Sequence, residues 1–230
     1  MLHESPNCVG IEHDPESNTV YSNVYWAIGA LKEPSDPLYD GNELTVIRYD
    51  FEIPHGPGSL DHSLANVRRY HDVTLTRVPG VSSHIALDPV DDLVYFVDSG
   101  AGRIIVGEKN SGRFDRFARE DQGGQFKLWS GTEPSFEYAI YSCFNFRELA
   151  TNLSTPSGIA VNNHFIFVGE YATGDIVILD RSNGEESIRI QTGEPGIMGM
   201  TLSQDGSLWF VNGLENSINI VDVGCSEPEP

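Results

Sequence analysis

A fourfold recurrence constrains this chain more than any single motif does. The segments "CVGIEHDPESNTVYSNVY", "SSHIALDPVDDLVYFVDSG", "PSGIAVNNHFIFVGEY" and "IMGMTLSQDGSLWFVNG" share one plan: a small-residue lead-in, a short apolar strand, a turn and a second apolar strand. Ile11, Ile85, Ile159 and Met200 take equivalent places, and Tyr21, Tyr95, Ile166 and Trp209 mark the second strands. A third strand follows in "NELTVIRYD", "GRIIVGEK", "GDIVILDR" and "NSINIVDV", each rich in β-branched residues that alternate with period two. Candidate fourth strands are "DVTLTR", "FNFREL" and "SIRIQT". The turns "DPESN", "DPVDD", "SQDGS" and "RSNGE" carry the Asp, Pro, Asn and Gly that tight hairpins need. A unit of this size cannot bury its apolar face alone, so the copies must stack on one another.

Units of four antiparallel strands repeated about an axis make a β-propeller, so the chain reads as all-β, with about four four-stranded blades. The blades fall near 8–77, 80–150, 155–192 and 196–223, leaving 225–230 as a tail. Met200 follows Ile159 by 41 residues, an ordinary blade length, whereas the two earlier intervals are each 74. The surplus reads as loop over 26–42, 51–72 and 110–140, and long loops on a rigid scaffold are where function tends to sit. No stretch shows a convincing helical period, although "RFDRFARE" at 113–120 could form a turn or two of helix.

Fourteen Lys and Arg against 34 Asp and Glu give a formal net charge of −20. Such a surface repels phosphate backbones and anionic lipid heads, which argues against nucleic acid and membranes and leaves a small molecule or a protein as partner. No apolar run reaches membrane-spanning length, and "MLHESPNCVG" lacks the basic start and apolar core of a signal peptide. The compartment stays open; a secreted or periplasmic location would follow if the full-length chain carried a signal peptide. Cys8, Cys143 and Cys225 are too few and too far apart for a disulfide framework or a zinc ribbon. Buried free thiols are the expectation, with a single Cys8–Cys143 bridge as the alternative.

The ordered set "LHESPNC", "HGPGSLDHS", "RVPGVSSH", "YATGDI" and "GIMGM" resembles an uncharacterised subgroup of the NHL-repeat propellers, which are usually six-bladed. The resemblance runs from Leu2 to Val223 and brings no established activity. In that subgroup "LHESPNC" lies inside a longer chain, which implies that this sequence is a fragment lacking N-terminal blades. A self-contained four-bladed ring is the alternative.

In propellers, the loops leading into the innermost strand and those joining the second and third strands open on one face, around a central channel. His84 stands where the other units have Gly10, Gly158 and Gly199, so its side chain should project toward the channel mouth. His3 lies on the matching loop of the first unit, and Asp98, Glu170 and Asn212 follow second strands. His3, His84 and Glu170 form the first candidate metal set, since imidazoles and carboxylates suit zinc, calcium or another divalent ion as cofactor. Asp98, Asn212 and Trp26 are candidate ligand-binding residues. The plainer alternative is that His84 hydrogen-bonds nearby backbone while the acids cap turns. The second candidate metal set is His55, Asp61 and His62 in "IPHGPGSLDHS", a stretch between third and fourth strands and hence on the opposite face. There Asp61 either orients an imidazole or caps a turn. Tyr25, Trp26, Trp129, Tyr138 and Tyr141 either line an apolar wall on loops or pack inside blades.

No catalytic residue is assigned. The chain has no GxSxG elbow, no phosphate-binding glycine loop and no dinucleotide fingerprint after a strand. The leading function is therefore a rigid scaffold that binds a small molecule or a protein. The alternative is a metal-dependent lyase or lactonase-like hydrolase with a divalent ion at the channel mouth and Glu170 as base, by analogy with related propellers.

Overall fold

The computed structural model describes residues 8–15, 23–30, 41–51, 66–88, 90–117 and 138–222. Its strands in chain order are β1 (Gly10–Asp14), β2 (Val24–Ala30), β3 (Glu43–Asp50), β4 (Asn66–Thr76), β5 (Ile85–Leu87), β6 (Leu93–Asp98), β7 (Arg103–Glu108), β8 (Arg113–Phe117) and β9 (Tyr138–Ser142). They continue as β10 (Phe146–Ala150), β11 (Pro156–Val161), β12 (Phe165–Glu170), β13 (Asp175–Asp180), β14 (Glu186–Gln191), β15 (Ile197–Leu202), β16 (Leu208–Asn212) and β17 (Ser217–Val221). The described residues contain no α-helix, and none long and apolar enough to cross a membrane. The protein is an all-β chain built from β-propeller blades. It divides into two compact units: Met1–Thr76 with Asn110–Asn145, and Arg77–Lys109 with Phe146–Pro230.

The first unit is one sheet in the order β1-β2-β3-β4-β9-β8. β1 to β4 form the expected antiparallel meander, with Ile11 on the first strand opposite Ala27. β2 begins at Val24 among the described residues, and Tyr21, expected to mark the second strand, lies outside them. Trp26, which the sequence placed either on a loop or inside a blade, lies within β2 and is fully buried, stacked on Tyr70 at 5.7 Å with Phe144 tilted against both rings. "RFDRF" is strand rather than helix, because β8 pairs with β9 and lays Phe114 edge-on to Tyr141. β9 in turn runs parallel to β4, so part of the stretch expected as loop over 110–140 extends this sheet. Cys8 and Cys143 are exposed, contrary to the expected burial, and Cys225 lies outside the described residues.

The second unit contains three sheets, β10-β7-β6-β5, β11-β12-β13-β14 and β15-β16-β17. Ile85, Ile159 and Met200 lie on the first strand of their respective sheets, as the repeat predicts, and "FNFREL" and "SIRIQT" supply the outer strands β10 and β14. The middle sheet explains its own sequence. Ile166, Val168, Val177 and Leu179 pack against Tyr95, Val97, Ile104 and Leu149 on one side. Phe167, Ile176 and Ile178 pack against Ile197, Leu208 and Phe210 on the other. With both faces covered, "FIFV" and "IVIL" are unbroken apolar runs rather than alternating ones. Each such side chain, removed from water, contributes roughly 1.5–3 kcal/mol.

A buried carboxylate fastens the first two of these sheets. Asp88 closes the β5–β6 turn by accepting from the backbone N–H groups of Val90 and Asp91, both at 2.8 Å. Its other oxygen accepts from the Tyr95 hydroxyl at 3.2 Å and from the Arg181 guanidinium, which comes from the β13–β14 turn and also reaches Asp91. Burial and the adjacent carboxylate push the Tyr95 hydroxyl above its ordinary range, consistent with its role as donor. Removing one partner of a buried pair strands the other. We expect Asp88→Ala to lower unfolding stability by about 3 kcal/mol in urea titrations, and the exposed Asp115→Ala to change it by less than about 0.5 kcal/mol.

Candidate functional site

In the second unit the first strands β5, β11 and β15 are neighbours, with β11 beside both others. Two β-bulges at the same level shape this edge. Ser157 falls out of register between the pairs Pro156–Glu170 and Gly158–Gly169, and Met198 does so between Ile197–Asn212 and Gly199–Val211. The extra residues converge with Ser82. The Ser157 hydroxyl lies 2.8 Å from the Ser82 carbonyl and 3.0 Å from the Met198 carbonyl. The Ser82 hydroxyl lies 2.9 Å from that of Ser157 and 3.0 Å from the same Met198 carbonyl. Two hydroxyl protons serve all these contacts, so both serines are committed to joining three sheets. Ser83 and Ser99 pair beside them at 2.8 Å.

His84 extends this junction. Its backbone N–H donates to the Ser157 carbonyl at 3.1 Å, and its carbonyl accepts from Val97 at 3.1 Å. The half-buried imidazole lies over Gly199, where a Cβ would meet the ring at an ordinary 3.6 Å. The equivalent Gly158 has no such room, because a Cβ there would come within 2.6 Å of Met200 Cγ and 3.2 Å of the Gly199 backbone. A side chain thus fits at position 84 and not at 158. The imidazole makes no hydrogen bond to another described residue, and burial lowers its proton affinity below the ordinary histidine value, leaving it neutral near pH 7.

Each of the polar residues grouped with His84 in the sequence has hydrogen-bond partners of its own. Glu170 is buried and accepts from the Ser154 N–H at 2.8 Å, the Thr173 hydroxyl at 2.8 Å and Arg189 at 2.9 Å. Asp98 accepts from the Ala101 N–H at 3.1 Å and pairs with Arg103 at 2.8 Å. Asn212 accepts from Leu214 and Glu215 and donates to the Pro195 carbonyl at 3.0 Å. All three sit at equivalent strand ends and brace the turn that follows. His3, His55, Asp61 and His62 lie outside the described residues. Among the described residues, no three His, Cys, Asp or Glu side chains cluster closely enough to hold one metal ion. Ser157 and Met198, each directly preceding a glycine of the Gly/His84 series, were not singled out in the sequence, and Ser82, two residues before His84, stood out there only as a serine without a nucleophile-elbow pattern.

No family model matches the chain, and no curated protein matches it significantly. Solved structures similar to it include a streptogramin B lyase (14% identity, 97% of this chain and 54% of that one, TM-score 0.49). Others are a luciferin-regenerating enzyme (13%, 93% and 61%, 0.49) and the virginiamycin B lyase of Staphylococcus aureus (16%, 96% and 69%, 0.43). The chain spans between half and two thirds of the length of the first two.

Two tests follow from the junction. Gly158→Ala must displace the neighbouring strand and should cost about 1–3 kcal/mol, whereas Gly199→Ala should change stability by less than about 1 kcal/mol, both read by urea unfolding. The unfolded chain binds a proton at position 84 more readily than the folded one. The contribution of neutral His84 is therefore whole above about pH 6.5 and lost as pH falls through the lower folded midpoint. An NMR titration should place that midpoint below 6.5, and the stability of the parent relative to His84→Gln should decline between about pH 7.5 and about pH 5.

Proposed function

We propose that this chain is a ligand-binding propeller of the NHL-repeat type, whose inner-strand edge around His84 receives a small uncharged molecule bearing a hydroxyl or carbonyl group. The observation that carries this reading is a half-buried, neutral imidazole with no hydrogen-bond partner among the described residues, held on a rigid edge. A ligand hydrogen bond to such a half-buried group contributes roughly 0.5–1.5 kcal/mol net. Neutral imidazole offers one donor and one acceptor, which fits such a ligand. The net charge of −20 disfavours anions at long range.

The second reading, a metal-dependent lyase or hydrolase, draws on the same free imidazole. A zinc or calcium ion held by His84 with His3 would polarise a substrate oxygen or activate water. Glu170 would have to leave Arg189, Thr173 and the Ser154 N–H to join it.

Ligand-observed NMR with a set of small alcohols and ketones, run on tag-free parent and on His84→Ala, tests the first reading. Binders are expected whose signal is lost in the variant. Binders unaffected by His84→Ala, or none at all, would overturn it. Zinc chloride titrated calorimetrically into the same two proteins separates the second reading, which requires binding weakened about 10-fold or more in the variant.

A further inference from the structure

Among the described residues, the sheet β15–β17 is packed on one face only. Met200, Leu208 and Phe210 join the core shared with β11–β14. The alternate residues Trp209, Val211, Ile218 and Ile220 are between 39% and 70% exposed. The register sets Trp209 opposite Ile220 and Val211 opposite Ile218, so the four side chains form one apolar block, extended by exposed Leu214 in the intervening turn. A sheet face meant for water would alternate toward polar residues here. None of the residues of β15, β16 and β17 is charged, in a chain of net charge −20.

We propose that this face is the docking surface for a second copy of this chain, the two sheets stacking face to face about a two-fold axis. Charge selects the occupant. Two copies repel wherever their acidic surfaces meet, and an uncharged face is where like can approach like, whereas a basic partner would be drawn to the acidic surface elsewhere. Area sets the strength. The five side chains offer roughly 400–500 Å² of apolar surface per copy, the scale that marks an interaction site on a monomer. Buried twice and given a polar rim, that reaches roughly 1,000–1,200 Å², the lower bound of a specific interface. The pairing is therefore weak, with a dissociation constant in roughly the micromolar range. The packing itself is of a kind already present in the unit, where β11–β14 covers the other face of this sheet.

Sedimentation equilibrium on the full chain, over a wide concentration range at low and high sodium chloride, tests this. A reversible monomer–dimer equilibrium is expected that tightens with salt, because screening weakens the repulsion between acidic copies. Ile218→Glu, at an exposed position, should weaken association about 10-fold or more while leaving the urea midpoint unchanged; Ile220→Glu gives the same reading if the first variant fails to fold. A mixture of Ile218→Glu and Ile218→Lys chains should associate more tightly than either variant alone. A monomer at every concentration and salt, or association that both Glu substitutions leave unchanged, would overturn the proposal.

Discussion

The second unit depends on one close approach, that of β11 to β15 at Gly158. Strands from different sheets normally keep side chains between them. Here a Cβ at position 158 would collide with Met200 and with the backbone of Gly199. That proximity brings the Ser157 hydroxyl within reach of the Met198 carbonyl, and the two bulges supply the extra residues that make the contact. The stacked cores follow from it. Once the first strands are fixed side by side, β12 and β13 are sandwiched between neighbours, and their apolar residues are buried on both faces.

The outer polar residues hold the same arrangement at its turns. Asp88 with Arg181, and Glu170 with Arg189, each place a buried carboxylate under a guanidinium from another strand or turn. The Asp88–Arg181 pair crosses two sheets and penalises any alternative stacking that would leave one charge alone, whereas Glu170 with Arg189 stays within one sheet. The imidazole of His84 differs from them. It occupies the position that is glycine in the sister repeats, and the structure gives its ring space but no hydrogen-bond partner among the described residues.

The strand order was legible because β-branched runs and turn residues repeat locally. The first-strand places of Ile85, Ile159 and Met200, and the outer strands β10 and β14, all follow from that pattern. The parallel pairing of β9 with β4 was not legible, since it joins residues such as Val67 and Tyr138 whose partnership no local periodicity encodes. "RFDRFARE" misled for a related reason: spacing compatible with a helix says nothing of an edge strand waiting to be paired. Trp26 shows how a boundary decides a role, because reading 26–42 as loop left open whether its ring lines a ligand wall or packs inside a blade, and β2 runs on to Ala30. At the site, His84 stood out by breaking a glycine series. For Asp98, Glu170 and Asn212 the sequence left two roles open, because a polar residue at a strand end looks the same whether it braces a turn or waits for a ligand. The link between Ser82 and Ser157 spans 75 residues and becomes visible only when the sheets stack.

The most direct measurement of this account is native-state amide hydrogen exchange at His84. Its N–H crosses from one sheet to the next, donating to Ser157 at 3.1 Å, and so it reports the junction rather than either sheet alone. If the inner-strand junction organises the unit, this amide exchanges only through the unfolding that releases the core amides of β12 and β13, with the same opening free energy and the same dependence on denaturant. Exchange at the rate of the surrounding turns, while β12 and β13 remain protected, would show that the sheets fold without the junction and would contradict the account.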